Sequence, residues 1–245
     1  MNPQMKIPRV NLHTHTCRCK HAKGNIADYC EAALKAGVSI LGFSDHSPFP
    51  DAEYASSRMD FSELPDYRKE IEDAKQKFPQ LTILAGLEID YRPVLGPAFY
   101  REEYLEKLNL DYMIAGVHFL PAENGTPARY LNFEKPFSTE TVRRFVKETL
   151  RVMETGLAVY IAHPDITAIN CERWTPDLKA AYKDICEASL SLGIPLEINA
   201  YGLRKPPVDT PAVSVASVLG ARRGIRSENR CRGRRTPSGR CLGQH

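Results

Sequence analysis

Residues 10–21 read VNLHTHTCRCKH. A short apolar run ends in His13-x-His15, and His21 follows six residues after the second histidine. In extended chain, residues two apart face the same way. His13 and His15 can therefore aim two imidazoles at one point if the strand runs that far, with His21 folding back from the loop. Neutral imidazole is the commonest protein ligand for zinc and also suits iron. Taken alone, one His-x-His reads more economically as a polar strand end with solvated histidines.

The remaining histidines change that reading. The chain has seven: His13, His15, His21, His46, His118, His163 and the terminal His245. His46, His118 and His163 each come just after a short apolar run, and so does Glu88. Surface histidines have no reason to choose that position repeatedly.

The apolar runs set the architecture. Strands are expected at Arg9 to His13, Val38 to Phe43, Leu81 to Leu87, Tyr112 to Val117, Leu157 to Ala162 and Ile194 to Ile198. Between them lie helical patterns: Asn25 to a stop at Gly37, Ser62 to Phe78, Ala98 to Leu108, a strongly amphipathic stretch opened by Ser138 and closed by Gly156, and one started by Thr175-Pro176-Asp177. Six strands alternating with five helices mean parallel βαβ units. An open doubly wound sheet would fit, but polar residues at nearly every strand end favour an α/β barrel with its chemistry at the carboxyl ends.

A chain of 245 residues can bury a full core as one barrel or two smaller domains. No apolar run approaches a membrane span, and the N-terminus lacks the apolar core of a secretory signal, so a cytoplasmic protein is expected. Seven cysteines, an odd number, argue for reduced thiols. Cys17-x-Cys19 does not have the C-x₂₋₄-C spacing of structural zinc sites, and both are expected to be loop residues. Cys30 and Cys186 fall on apolar helix faces and are expected in the core.

The net charge of +3 hides an asymmetry. Residues 221–245 hold eight Arg and one Glu, leaving 25 basic against 29 acidic residues in the body. After Lys205 the periodicity fails. The expected division is a barrel over 1–207, incomplete because a closing strand is missing or replaced, and an atypical, poorly ordered Arg-rich tail over 208–245. A shifted reading frame would produce so abrupt a change.

Six histidines and Glu88 converging on one barrel mouth exceed the three or four protein ligands of one zinc. They suit two or three divalent ions, whether zinc, iron or manganese, with Glu88 as the natural bridge. Such a cluster supports hydrolysis of an anionic ester, and a phosphate is expected. Glu88 and Asp45 are the candidate catalytic carboxylates, Asp45 as an acceptor orienting an imidazole rather than a ligand. Asp165 is either a ligand or a turn residue. Arg204, with Lys205, and Asn199 are candidates to hold substrate, against solvated-loop and turn-stabilising alternatives.

The segments HTHTCRCKHAKG, GFSDHSPFP, AGLEIDY, AGVHFL, IAHPD and EINAYGLRK resemble, in order and spacing, the PHP (polymerase and histidinol phosphatase) superfamily, and within it the monofunctional histidinol-phosphatase branch. The resemblance runs from about Arg9 to Lys205. It implies a distorted TIM-like (β/α)₇ barrel, a trinuclear metal site, and hydrolysis of L-histidinol phosphate to L-histidinol and phosphate in histidine biosynthesis. By motif, His13, His15 and Glu88 would belong to the first metal. Glu88, His118 and His163 would hold the second, and His21 and His46 would belong to the third. Arg204 matches a position near the substrate phosphate. The family's last G-x-D-x-H-type motif has no counterpart here, which leaves the first and third sites each one ligand short and predicts impaired activity for the chain as written. Other readings are a PHP enzyme for another phosphoester, or a non-catalytic scaffold whose basic tail binds nucleic acid. The tail has no aromatic residue for base stacking, which disfavours nucleic acid. A small-molecule phosphate ester is the expected partner; the oligomeric state is left open.

Overall fold

The structure is a computed structural model that describes residues 8–122, 128–131, 137–169 and 175–198. Asn199, Arg204, Lys205 and the proposed tail lie outside the described residues, as does the 207/208 boundary.

Four parallel strands form the ordered centre: β1 (Val10–Asn11), β2 (Ile40–Phe43), β3 (Thr82–Ile89) and β4 (Tyr112–Ala115), paired in sequence order. The expected fifth and sixth strands follow as single parallel bridges, Ala115 to Ile161 and Ile161 to Leu196. Their ladder includes Ala162 N–H to Ala115 O at 2.8 Å and Glu197 N–H to Ile161 O at 2.9 Å. A doubly wound sheet reverses its strand order at a switch point. Here the order never reverses, so right-handed crossovers put every helix on one face and the sheet curls into part of a barrel. Among the described residues no strand pairs with the free edge of β1.

The helices start and stop for local reasons. In α1 (Ile26–Ala36), Asn25 and Asp28 form a reciprocal capping box, and Gly37 ends the helix at φ 71°. Helix α2 (Leu64–Lys77) has Pro65 in its first turn and buries Leu64, Tyr67, Ile71 and Ala74. Helix α3 (Gly96–Tyr100) continues as a π-helical segment, Arg101–Lys107. Ser138 caps α4 (Thr139–Glu154), and Thr175 caps α6 (Pro176–Leu192), which ends at Gly193. Two elements were not expected: a short antiparallel pair, β5 (Phe119–Leu120) with β6 (Arg129–Tyr130), and a one-turn helix α5 (Ile166–Ile169).

Two apolar layers result. The larger lies between sheet and helices and includes Phe43, Tyr67, Leu87, Met113, Phe145 and Tyr182. Cys30 and Cys186 are buried, as expected. The smaller fills the barrel interior with Tyr112, Ile114 and Ala162, flanked by Leu12, Leu84 and Tyr160. Tyr112 reaches across the interior and donates to Leu12 O at 2.7 Å. Its ring occupies the space where a Cβ at Gly86 would stand, only 2.5 Å away. This plug floors the barrel, and the polar strand ends lie above it.

Candidate metal centre

Glu88 is the pivot. It lies inside β3 on the interior face it shares with Leu84 and Gly86, and its side chain is buried. The sequence reading ended this strand at Leu87, two residues short of its end at Ile89. Its carboxylate takes five imidazoles. Oε2 lies 3.4 Å from His13 Nε2, 3.2 Å from His15 Nε2 and 3.2 Å from His46 Nδ1. Oε1 lies 2.9 Å from His163 Nε2 and 3.7 Å from His118 Nε2. Room for this comes from Gly116: a Cβ there would sit 2.3 Å from Glu88 Oε1 and 2.5 Å from His118 Cε1.

Five of the histidines are delivered by strand ends. His13 and His15 follow β1, and His46 bridges Glu88 in parallel register just past β2. His118 follows β4. His163 follows the bridge at Ile161 with a left-handed φ of 32°, a conformation that costs energy in a non-glycine residue. His21 comes back after a tight 3₁₀ turn, Cys17–Cys19, which Lys20 ends at φ 62°.

Four groups of three have donor atoms within 4.8 Å of one another: His13, His15 and Glu88; His46, Glu88 and His118; His15, His21 and His46; and His15, Cys19 and Asp45. The six histidines named from the sequence are brought to one place with Glu88, five from strand ends and His21 from the loop, with His163 joined through Glu88 Oε1.

The cluster suits cations. Glu88 Oε2 is buried without a hydrogen bond although three imidazole nitrogens surround it, and His46 Nδ1 and His163 Nδ1 are likewise buried and make none. His13 Nε2 and His15 Nε2 stand 3.0 Å apart, too close for two facing lone pairs. Burial alone would favour a neutral His13, but the Glu88 and Glu197 carboxylates outweigh it and lift its pKa to about 10. A proton there does what a metal ion would do better. Burial opposes ionisation of Glu88, yet His13, His118 and His46 hold its carboxyl well below the usual range. Burial keeps His46 well below the ordinary imidazole value.

Several supporting groups were missed in the sequence. Glu197 lies within the sixth apolar run. Its Oε1 accepts from His13 Nδ1 at 3.0 Å, and its Oε2 accepts from the His163 backbone N–H at 2.7 Å. Its strand-end position was the available signal. Asp90, two residues after Glu88, takes His118 Nδ1 at 3.1 Å and the His118 N–H at 2.8 Å. Burial works against its charge, but His118 and then Arg58 pull its pKa down. Arg58 is itself buried, donating to Ser47 O at 2.6 Å and Asp90 Oδ2 at 3.1 Å over the Phe49 ring. Nothing in the loop sequence marks it.

Two expectations need adjusting. Cys17 is exposed, but Cys19 is fully buried inside the centre, not an ordinary loop residue. Asp45 reaches no imidazole directly: its carboxylate accepts from Thr16 N–H at 2.7 Å, Thr16 Oγ1 at 3.0 Å and Cys19 Sγ at 2.9 Å. Asp165 is buried on the turn into α5, where its carbonyl accepts from Ala168 N–H at 2.9 Å.

Comparison with known proteins shows the family. Residues 11–200 match the PHP domain family. The chain belongs to it. The "Probable histidinol-phosphatase" of Deinococcus radiodurans is 32% identical over 216 residues, covering 87% of this chain and 81% of that one. The "Probable phosphatase" of Tolumonas auensis is 25% identical over 195 residues, covering 78% of this chain and 63% of that one. Among solved structures, a Listeria monocytogenes protein superposes with a TM-score of 0.66 at 19% identity, covering 81% of this chain and 85% of that one. Histidinol phosphate phosphatase from Lactococcus lactis, complexed with zinc, L-histidinol and phosphate, gives 0.60 at 20% identity, covering 78% of this chain and 73% of that one. At those identities the structures establish the fold, a curled parallel half-barrel. No helix among the described residues is long and apolar enough to cross a membrane.

Proposed function

We propose that this PHP chain is a metal-dependent phosphomonoesterase that hydrolyses L-histidinol phosphate to L-histidinol and phosphate, in the cytoplasm, as a step of histidine biosynthesis. The observation that carries the metal-dependent part is the buried Glu88 carboxylate, with imidazoles on both oxygens and no hydrogen bond to Oε2. The Deinococcus relative supports the substrate, and the Lactococcus structure supports zinc.

The residues divide the work. His13, His15 and Glu88 would hold a first ion, Glu88, His118 and His163 a second, and His15, His21 and His46 stand where a third would sit, with iron or manganese as alternatives to zinc. Divalent ions held there would polarise a phosphoryl oxygen and acidify water for attack. Glu88 supplies the shared negative charge. Glu197 and Asp90 hold the His13 and His118 rings by their far nitrogens, which keeps the near nitrogens aimed at Glu88. Asp45, saturated by Thr16 and Cys19, anchors the 13–19 loop to the end of β2. Arg204 and Asn199 are proposed to take the substrate phosphate by charge-assisted and neutral hydrogen bonds. The unit doing this is residues 1–207.

The test is metal content of the full-length protein, together with phosphate release from histidinol phosphate and a panel of other phosphomonoesters. Two or more ions per chain with preference for histidinol phosphate is the expected result. Metal binding with preference for another ester would replace the substrate, and no metal binding would end the reading.

A further inference from the structure

Cys19 touches every member of one candidate metal trio. Its Sγ lies 3.2 Å from His15 Nδ1, its Sγ accepts from the His46 backbone N–H at 3.0 Å, and its carbonyl oxygen accepts from His21 Nδ1 at 2.8 Å. The same sulfur lies 2.9 Å from Asp45 Oδ1. The residue has no exposed surface.

Proton counting decides what these contacts mean. A thiol has one proton and an ionised carboxylate only accepts. Asp45 already receives Thr16 N–H and Thr16 Oγ1–H, and Thr16 Oγ1 in turn accepts from Arg18 N–H at 3.3 Å. The Cys19 proton therefore goes to Asp45 Oδ1. The sulfur is left with lone pairs only, so His15 Nδ1 must be the donor in its contact with Sγ. A neutral imidazole carrying its proton on Nδ1 has a bare Nε2, and His15 Nε2 is the atom 3.2 Å from Glu88 Oε2. The carbonyl of the same residue fixes His21 in the same tautomer, because a carbonyl can only accept. The local chain geometry makes this possible. Thr16 caps the 3₁₀ turn that buries Cys19, and left-handed Lys20 turns His21 back over it.

We propose that Cys19 is a positioning residue of the His15, His21 and His46 group, holding two of its imidazoles in the tautomer that presents Nε2 inward, and that its sulfur is a hydrogen-bond hub rather than a ligand. This rests on the metal-dependent reading given above.

The experiment uses the full-length chain with zinc and with cobalt, comparing the parent with Cys19→Ser and Cys19→Ala. In Cys19→Ala, affinity for the ions held through His15 falls roughly 10- to 100-fold, the range for losing a group that orients a ligand, while an ion held by Glu88, His118 and His163 stays. Cys19→Ser, which keeps a donor and an acceptor, restores most of it. The cobalt-loaded parent shows no sulfur-to-metal charge-transfer absorption. In the metal-free parent, nitrogen chemical shifts report His15 protonated on Nδ1, a readout that needs neither variant to fold. A charge-transfer band, a His15 protonated on Nε2 alone, or an alanine variant that binds every ion like the parent overturns the proposal and leaves the metal reading standing. A parent that binds no zinc or cobalt overturns both.

Discussion

The two sides of the metal centre are built differently. On the β1–β4 side, the ligating positions hang from a continuous parallel ladder. β2 and β3 pair over four residues and β3 and β4 over four more. On the other side, His163 and Glu197 hang from single bridges at Ile161 and Leu196. Ile198, at the end of that side, is 72% exposed. The first side has backbone hydrogen bonds to hold its geometry. The second has a shorter run of them, Val159 N–H to Met113 O at 2.8 Å and Ala162 N–H to Ala115 O at 2.8 Å among them, and side chains inside the centre add to the hold: Glu197 to His13, and His163 to Glu88. The lesson is that on the weaker side the site shares with a short backbone ladder the task of holding the fold, whereas on the stronger side the ladder alone positions the site.

That contrast can be broken most completely at Glu88, which both sides share. Glu88→Gln keeps the shape and removes the charge that five imidazoles surround. Loss of at least one bound ion and a fall in phosphate release of about a hundredfold or more is expected, since metal catalysis supplies several kcal/mol. Metal analysis and initial rates on the same sample check this, and unchanged metal content would contradict the central role of this carboxylate.

Gly116→Ala attacks the same carboxylate by steric means. The new methyl would lie 2.3 Å from Glu88 Oε1, so Glu88 and His118 must move. Overpacking of this kind costs about 1–3 kcal/mol. A lower melting temperature together with weaker metal binding is expected; a drop in stability with metal binding intact would show that the close approach can be relieved elsewhere.

Glu197→Gln separates the two sides. The amide can still meet the His163 N–H but no longer stabilises a charged His13. Metal affinity is expected to fall roughly 10- to 100-fold. Hydrogen exchange should rise around 161 and 196 more than in β2 and β3. Equal changes on both sides would remove the contrast drawn above.

The smallest step is in pH. His13 titrates near 10 in the folded, metal-free protein, above its ordinary 6.5. The stability this pairing adds is therefore complete below about pH 6.5 and is lost as pH rises through about 10. Metal binding runs the other way, because an ion must displace that proton. Affinity should increase by about tenfold per pH unit for one released proton. The melting temperature gained on adding zinc should therefore widen from pH 7 to pH 9. Glu197→Gln should flatten that slope.

Much of this was legible in the sequence because it is local. Apolar runs, most of them ending in His or Glu, predicted the parallel strands, and they placed Glu88, His46, His118 and His163 at one rim. The helix start at Asn25 and the stop at Gly37 are set by neighbours in the chain. The strand lengths were less legible. His13 was expected within the first strand, but β1 ends at Asn11, because pairing depends on the partner strand and not on apolarity alone.

What the sequence determined by itself was the set of donor atoms and the order in which the chain presents them, since strand alternation and side-chain chemistry need no distant partner. Only the tertiary structure decided which nitrogen each imidazole turns inward. Glu197 meets His13 across 184 residues, and Asp45 meets Cys19 across 26. Arg58 reaches Asp90 across 32 from a loop with no periodicity. Such contacts are fixed by the curl of the sheet, which brings separate strand ends within hydrogen-bond reach, and that curl is a property of the whole packed barrel.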